Sequence, residues 1–468
     1  MSWRNTTRIA RHWAMDEHKP GKVACGLCPR HCSMREGQHG FCSVRGVVDG
    51  QLRAYSYGRS VAATEEVIET EAVNHFRPGA RILSLGNVGC MMSCTFCQNW
   101  QTSQVKHLDA RDVVEYTPRE VVQLCLAHGI EIISWTYNDP VVWHEFVVET
   151  SKLAQWHGIR TLYKSAFYIE EGPAAELIDC IDVFSLSLKS MSEAFYREVT
   201  GGRLQPVLER IEQVRHSGRH LELSQLVIPE LNDQDQDLKR TVDWVGEKLG
   251  SQVPLHFVAF HPAYKYLGVE RTPLATLERA RGLARQAGIE HCYVGNVYEP
   301  GLNDTHCGEC GAILVTRFGL TAEVRGLESD GCCSRCGHRS SIVEPFGGDS
   351  RSTACRDESV PVRLTHHWRG DVQSAHISRV GTAGAGLTAI TIRPIGGGRT
   401  VTRNLGEGLE RLIVSKRDAG DRGLTLSWHG PAEFQVLPVL DRAHFPVLAG
   451  STTKSTTFHS KEIQHETI

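Results

Sequence analysis

The sequence predicts an α/β protein whose main body is a partial TIM-like barrel, (βα)6. Two observations carry that expectation. Apolar strand-like runs alternate with helical patterns from about residue 80 to residue 297, and such alternation implies a parallel sheet with right-handed crossovers. The units number six, where a closed barrel takes eight in ~250 residues, so the array is expected to stay open on one side. An open doubly wound sheet is the other arrangement the alternation allows. In either geometry ligands gather at the C-terminal ends of the strands.

The elements follow in order. "RILSLGN" (81–87) is an apolar strand. "YTPREVVQLCLAHG" opens a helix, with Thr117 as cap, Pro118 in the first turn and Glu120 completing a capping box. Strand 130–137 and a helix over 140–157 come next, then strand 159–165, a short helix near 171–178 and strand 182–189. Helical material over 191–217 precedes strand 220–228, and a helix over 235–249 precedes strand 254–261. A last helix starts after Thr272-Pro273, and "CYVGNV" (292–297) could add a final short strand.

A chain of 468 residues exceeds what one hydrophobic core supports. The expected divisions are an N-terminal Cys-rich segment (1–70), the barrel (75–300), a zinc-ribbon or rubredoxin-like module (301–346), a linker (347–359) and a small β-rich C-terminal domain (360–468) with a loose end after Thr452. Hydrophobic residues make up 41% and charged residues 22%, ordinary values for a soluble globular protein. A net charge of −3 gives no electrostatic footprint for nucleic acid or anionic membrane. The sequence contains no apolar run of membrane-spanning length and no signal-peptide pattern at its polar start. A cytoplasmic protein is expected.

There are 16 cysteines, and in a reducing compartment clustered cysteines point to metals rather than disulfides. Eleven fall into three groups; Cys125, Cys180, Cys292, Cys332 and Cys355 stand outside them. The first group is Cys25, Cys28, Cys32 and Cys42, four thiolates that suit tetrahedral zinc or an iron–sulfur cluster, with His31 and His39 close enough in sequence for a mixed set. The third is Cys307, Cys310, Cys333 and Cys336, two CxxCG knuckles around hairpin-like strands, which suit zinc or iron. Such ribbons bind nucleic acid, bind protein or clip structure together; without a basic patch, a clip is expected.

The second group is Cys90, Cys94 and Cys97 in "CMMSCTFCQNW". Three thiolates are one too few for structural zinc. On a 4Fe-4S cluster, which ordinarily takes four cysteines, three leave one iron open. This loop follows the first strand and so belongs to the ligand-binding face.

CxxxCx(aromatic)C with Phe96 before the last cysteine, after the first strand of a partial barrel, resembles the radical S-adenosylmethionine (SAM) enzymes. More narrowly, the sequence is similar to the pyruvate formate-lyase activating enzyme-related branch and, within it, to the AmmeMemoRadiSam-system radical SAM enzymes. The resemblance spans Cys25 to Phe346 and rests on "CGLCPRHCSMREGQHGFCSVR", "NHFRPG", "GCMMSCTFCQNWQTSQ", "TYNDP", "LVIPELND", "HFVAFHPAYKY" and "VGNV". It implies a 4Fe-4S cluster whose open iron chelates SAM, reductive cleavage to a 5′-deoxyadenosyl radical, and hydrogen abstraction from a substrate, in an activating-enzyme-like oxidoreductase. It further implies an electron donor of flavodoxin or ferredoxin type and, as in glycyl-radical activases, a protein residue as one substrate class; a small molecule or modified nucleotide is the other. The slot that holds the SAM amino group is filled here by Thr136, Tyr137, Asn138 and Asp139. Lys189 matches a SAM-carboxylate contact, Ser187 stands where the family has Asp, and His261 is a candidate SAM contact or a structural histidine beside Pro262. Met91-Met92, Ser165-Ala166-Phe167, Ser185 and Ser187 depart from the relatives' pattern. No catalytic acid or base stands out. The contrasting reading is a non-catalytic iron–sulfur and zinc protein that carries electrons or binds nucleic acid.

Overall fold

A computed structural model of the chain describes residues 8–61 and 63–346, together with the backbone of seven strands between Val362 and Val439. Its centre is an eight-stranded sheet. Thr64–Val67 lies antiparallel at one edge against Arg81–Gly86. Then follow Ile132–Thr136, Arg160–Ser165, Val183–Leu188, His220–Val227, Leu255–Ala259 and Cys292–Gly295, each parallel to the one before. Every strand neighbours the next in sequence, so the order never reverses, which excludes the doubly wound alternative. One cavity is lined from six of the seven parallel strands, by residues including Thr136, Lys164, Ser187, Ser224, His256 and Val294, and by the loop that follows the first; a sheet that reaches round one space in this way is curved. The stretch expected as a final strand over 292–297 is thus a seventh parallel strand over Cys292–Gly295. The strands are buried on both faces, as parallel sheets require: all five residues of Ile132–Thr136 are inaccessible.

The helices lie close to where periodicity places them. Pro118–His128 opens with the expected capping box, Thr117 Oγ1 accepting from the Glu120 amide at 3.2 Å and Glu120 Oε2 from the Thr117 amide at 2.7 Å. Cys125 and Cys180 are wholly buried on helices Pro118–His128 and Glu171–Cys180, as small apolar side chains. The segment 191–217 is not continuous. Glu193–Phe195 passes into a wide helical turn, Tyr196–Thr200, that stops at Gly201-Gly202 before Leu204–His216 begins. The break has a use: the Thr200 and Val199 carbonyls accept from the amides of Ser93 and Thr95 in the three-cysteine loop, at 2.9 and 3.0 Å.

The N-terminal segment packs on the helix His144–Trp156. Arg45 and Glu145, both almost fully buried, form a two-pronged ion pair at 2.7 and 3.1 Å, and Arg8 meets Glu149 at 2.7 Å. His12 and His144 converge on Glu176 at 3.3 and 3.2 Å beside Arg11 at 2.9 Å.

At the opposite edge, Thr305–His306, Ile313–Phe318 and Thr321–Val324 form a small three-stranded sheet. Beside it the sulfurs of Cys307 and Cys336 lie 3.6 Å apart and those of Cys310 and Cys333 3.7 Å apart, all four within 4.8 Å of one another. Thiolates at ~2.3 Å from one tetrahedral ion would be separated by about this much. Cys332 stands outside this set, which settles the one-residue slip that its position beside Cys333 allows. In the tail, the seven described strands divide into a four-stranded and a three-stranded antiparallel sheet. The linker 347–359 and the stretch after Thr452 lie outside the described residues.

Candidate active site

The cavity at the C-terminal strand ends measures about 510 Å³, within the usual range for cofactor and substrate sites. Cys90, Cys94, Phe96 and Cys97 form part of its wall. Backbone bonds to residues 199–200, and one from the Lys265 amide to the Thr95 carbonyl at 3.0 Å, hold the loop in place. The three sulfurs do not all lie within 4.8 Å of one another, unlike those of the ribbon. Burial holds the Cys90 thiol well above its ordinary range and pushes Cys94 up to about 12, with Lys189 pulling Cys94 the other way. Such thiols ionise when metal replaces their protons. The Met92 amide donates to Cys90 Sγ at 3.4 Å, and Ser103 Oγ lies 3.4 Å from Cys97 Sγ.

Thr136, Tyr137, Asn138 and Asp139 all face this cavity, but their side chains are committed within the protein. Thr136 Oγ1 donates to Glu71 at 2.8 Å and the Tyr137 hydroxyl to Glu66 at 2.8 Å. The Asn138 amide donates to Thr102 Oγ1 at 2.9 Å and to the Asn87 carbonyl. Asp139 accepts from Ser165 Oγ at 2.7 Å and from the Ala166 amide at 2.8 Å, which fixes the turn after the third parallel strand. Tyr137 has φ +65°, and its ring fits because residue 86 is glycine: a Cβ there would come within 2.6 Å of the ring. The chain therefore turns sharply at this strand end.

Lys189 also lines the cavity, and its ammonium has no partner among the described residues. Its backbone is pinned on both sides, the amide donating to the Tyr196 hydroxyl at 3.1 Å and the carbonyl accepting from Asn232 at 2.8 Å. Ser187 joins the wall and pairs with Ser224 at 3.2 Å. His261 does not line the cavity, and the Phe260-His261 turn lies outside the wall it was expected to join.

Beneath these residues is a polar floor. Lys164 Nζ donates to Ser185 Oγ, Ser224 Oγ and the Glu71 carbonyl at 3.0, 3.1 and 3.1 Å, and burial pushes it down to about 8. Glu222 is fully buried and accepts from the amides of Asn74 and His75 at 2.9 and 2.7 Å and from His220 and His256 at 3.0 and 2.7 Å. Burial opposes its charge, yet the two histidine hydrogen bonds hold its carboxyl well below the usual range. The motif "NHFRPG" is thereby explained: its first two amides plug into the base of the barrel.

Arg317, from the ribbon, crosses the seam between the sheet's two edges. It donates to the Asn74 carbonyl and Thr305 Oγ1, both at 2.6 Å, and lies 3.9 Å from Glu69, whose carboxyl burial pushes up to about 7. Replacing Arg317 with alanine is expected to cost about 3 kcal/mol, since it strands buried acceptors and leaves Glu69 without its cation. Urea denaturation checks this, and a loss below about 1 kcal/mol would count against a seam role.

Glu66, Glu69, Glu71, Lys164, Glu222, His256 and Arg317 escaped the reading of motifs. The signal was present: "LYKS", "LELS" and "LHFV" each put an ionisable residue inside a strand that must be buried. Arg317 carried no such mark, because its role depends on where the ribbon docks.

The comparisons agree with this geometry. The model of the radical SAM superfamily matches residues 84–245. An uncharacterized protein of Methanocaldococcus jannaschii is 36% identical over 323 residues, spanning 69% of this chain and 96% of its own. The pyruvate formate-lyase 1-activating enzyme of Escherichia coli K12 is 25% identical over 229 residues, 45% of this chain and 91% of that one. The benzylsuccinate synthase activating enzyme of Thauera aromatica is 24% identical over 171 residues, 32% of this chain and 52% of that one. The chain belongs to the radical SAM superfamily, in the part related to activating enzymes. It is an enzyme of SAM-cleaving radical chemistry, with a 4Fe-4S cluster and SAM as the family's cofactors. No helix among the described residues is long and apolar enough to cross a membrane.

Proposed function

We propose that Cys90, Cys94 and Cys97 hold the 4Fe-4S cluster and that SAM lies between Lys189 and the 136–139 turn, above the polar floor. Bound there, the pair supplies a 5′-deoxyadenosyl radical that abstracts hydrogen from a substrate. The observation that carries this reading is the meeting of the three cysteines, an unpaired lysine and a sharply turned strand end in one cavity.

The residues divide the work. Lys189 offers a point charge to the carboxylate of SAM. Asp139, Asn138 and Thr136 position the turn through their own hydrogen bonds, and the backbone beside them is left to face the amino group. The floor, with Lys164, Glu71 and His256, receives a polar group of the substrate. Relatives named as activating enzymes support a protein residue as that substrate, and a flavodoxin- or ferredoxin-type donor is the proposed reductant. His261 is not assigned a contact.

The test is anaerobic reconstitution with iron and sulfide, reduction, addition of SAM and chromatography for 5′-deoxyadenosine. Cleavage supports the reading. A reconstituted cluster with neither a SAM-dependent spectral change nor cleavage rejects it in favour of a non-catalytic carrier. Replacing Lys189 with methionine is expected to weaken SAM binding about 10- to 50-fold, read as the SAM concentration that half-shifts the reduced cluster's paramagnetic signal. Lys189→Arg should restore part of it. An unchanged midpoint in the methionine variant removes Lys189 from the site.

A further inference from the structure

The geometry points to a metal site without cysteine: His12, His144 and Glu176 hold a zinc ion that ties the N-terminal segment to two helices of the barrel. None of the three lines the active-site cavity, and the inference does not depend on the cofactor reading above.

The ligands come from three elements far apart in the chain. His12 precedes the strand Trp13–Met15, His144 opens the helix His144–Trp156, and Glu176 lies in the helix Glu171–Cys180. One nitrogen from each imidazole and one carboxylate oxygen all lie within 4.8 Å of one another. Glu176 Oε1 stands 3.3 Å from His12 Nε2, and Oε2 stands 3.2 Å from His144 Nε2. Two nitrogen or oxygen ligands of one tetrahedral zinc, each ~2.1 Å from the ion, would be about 3.4 Å apart.

The alternative is a plain ion-pair cluster, and His12 argues against it. Its Nε2 is inaccessible, yet it makes no hydrogen bond to the oxygen 3.3 Å away because the two are not aligned. An ion-pair partner would point its N–H at the carboxylate, whereas ligands of a common ion aim between one another. His12 has φ +55°, uncommon for a residue with a side chain, and its carbonyl is pinned by the Gly26 amide at 2.8 Å. The chain turns sharply at the point that presents this ring. The His144 ring is fully buried and meets that of His12 edge to face at 5.0 Å. Arg11 lies 2.9 Å from Glu176 Oε2, which orients the carboxylate with Oε1 toward His12. Ligating carboxylates are held by outer partners in this way. Burial, followed by the neighbouring His144, holds the His12 imidazole below its ordinary range, and the hydrogen bond with His144 draws the Glu176 carboxyl down to about 2. Neutral imidazole and ionised carboxylate are the forms that bind metal. Two imidazoles and a carboxylate suit zinc with water as the fourth ligand. The side chains of His12 and Glu176 are 20% and 29% exposed, so water has access.

The position gives the ion a use. The helix that carries His144 continues from the 136–139 turn of the cavity through Pro140–Trp143. The segment that carries His12 also brings Cys25, Cys28, Cys32 and Cys42 to a space they share with Met91 of the three-cysteine loop. A zinc bound at His12 and His144 therefore fixes one wall of the cavity to the segment packed behind it.

The test is calorimetric titration of the full chain with zinc after its cysteine groups have been loaded with metal. About one further zinc per chain is expected, bound less tightly as pH falls from about 7.5 to 5.5, because protonated imidazoles do not ligate. That zinc should raise the melting temperature by about 3 °C. His12→Ala and Glu176→Gln should each weaken the binding by about 100-fold or more and lose the thermal shift. Should His12→Ala fail to fold by circular dichroism, His12→Gln takes its place under the same criteria. A loaded native chain that takes up no further zinc overturns the proposal, as does a folded His12 variant that binds it with the parent's affinity. Both outcomes are read without the SAM cleavage assay.

Discussion

Replacing Cys94 with alanine is expected to abolish 5′-deoxyadenosine formation, a loss of about three orders of magnitude or more, while leaving the ribbon's metal in place. The two effects separate because the sites do. Cys94 is half-buried in the wall of the main cavity, and Cys307, Cys310, Cys333 and Cys336 gather in a different module. Two cysteines cannot substitute for three at a cluster that already has an open iron. The variant should fold, since the loop is held by backbone bonds to residues 199–200 rather than by its thiols. Metal analysis, circular dichroism and the cleavage assay on one sample check all three statements. Persistent cleavage would remove Cys94 from the ligand set.

A large effect on stability, matching that expected at Arg317, is expected at Glu222. Glu222→Gln keeps the shape but removes a charge that accepts from two amides and two histidines. A loss of about 3 kcal/mol near pH 7 is expected. The pH dependence gives the sign. The folded carboxyl titrates well below its unfolded value of about 4.3, so its contribution is complete above that pH and fades as pH falls through the folded value. The gap between parent and variant, followed by denaturation at several pH values, should therefore be constant from pH 7 to 5 and narrow below about 4. A gap that stays constant into acid would mean that shape, not charge, holds the 72–76 loop.

The sequence made the scaffold and the cofactor loop legible for physical reasons. A buried parallel strand is a short apolar run, and a helix on its face is amphipathic, so their alternation shows in one dimension. The cysteines showed because their spacing is local: each group's ligands come from one loop or two. The floor hid because its members come from different strands and meet only when the sheet curves. Lys164, Ser185 and Ser224 look like isolated polar interruptions until they share one hydrogen-bond cluster. His261 shows the converse. A dipeptide at a strand end matched a pattern, yet neither Phe260 nor His261 is among the residues that line the cavity. The pairing of Thr136 with Glu71 was equally out of reach, since 65 residues separate them.

The crossing of the seam by Arg317 bears on how a substrate reaches the radical. A sheet that stops short of closing has a side door, and here the hairpin of the four-cysteine module is bolted across it, with Gly319 and Leu320 facing the chamber. A polypeptide lying along the flank of the barrel would find that way shut. It would have to offer a protruding loop from above, past the rim that carries the cysteines, and only the tip of that loop could reach the floor.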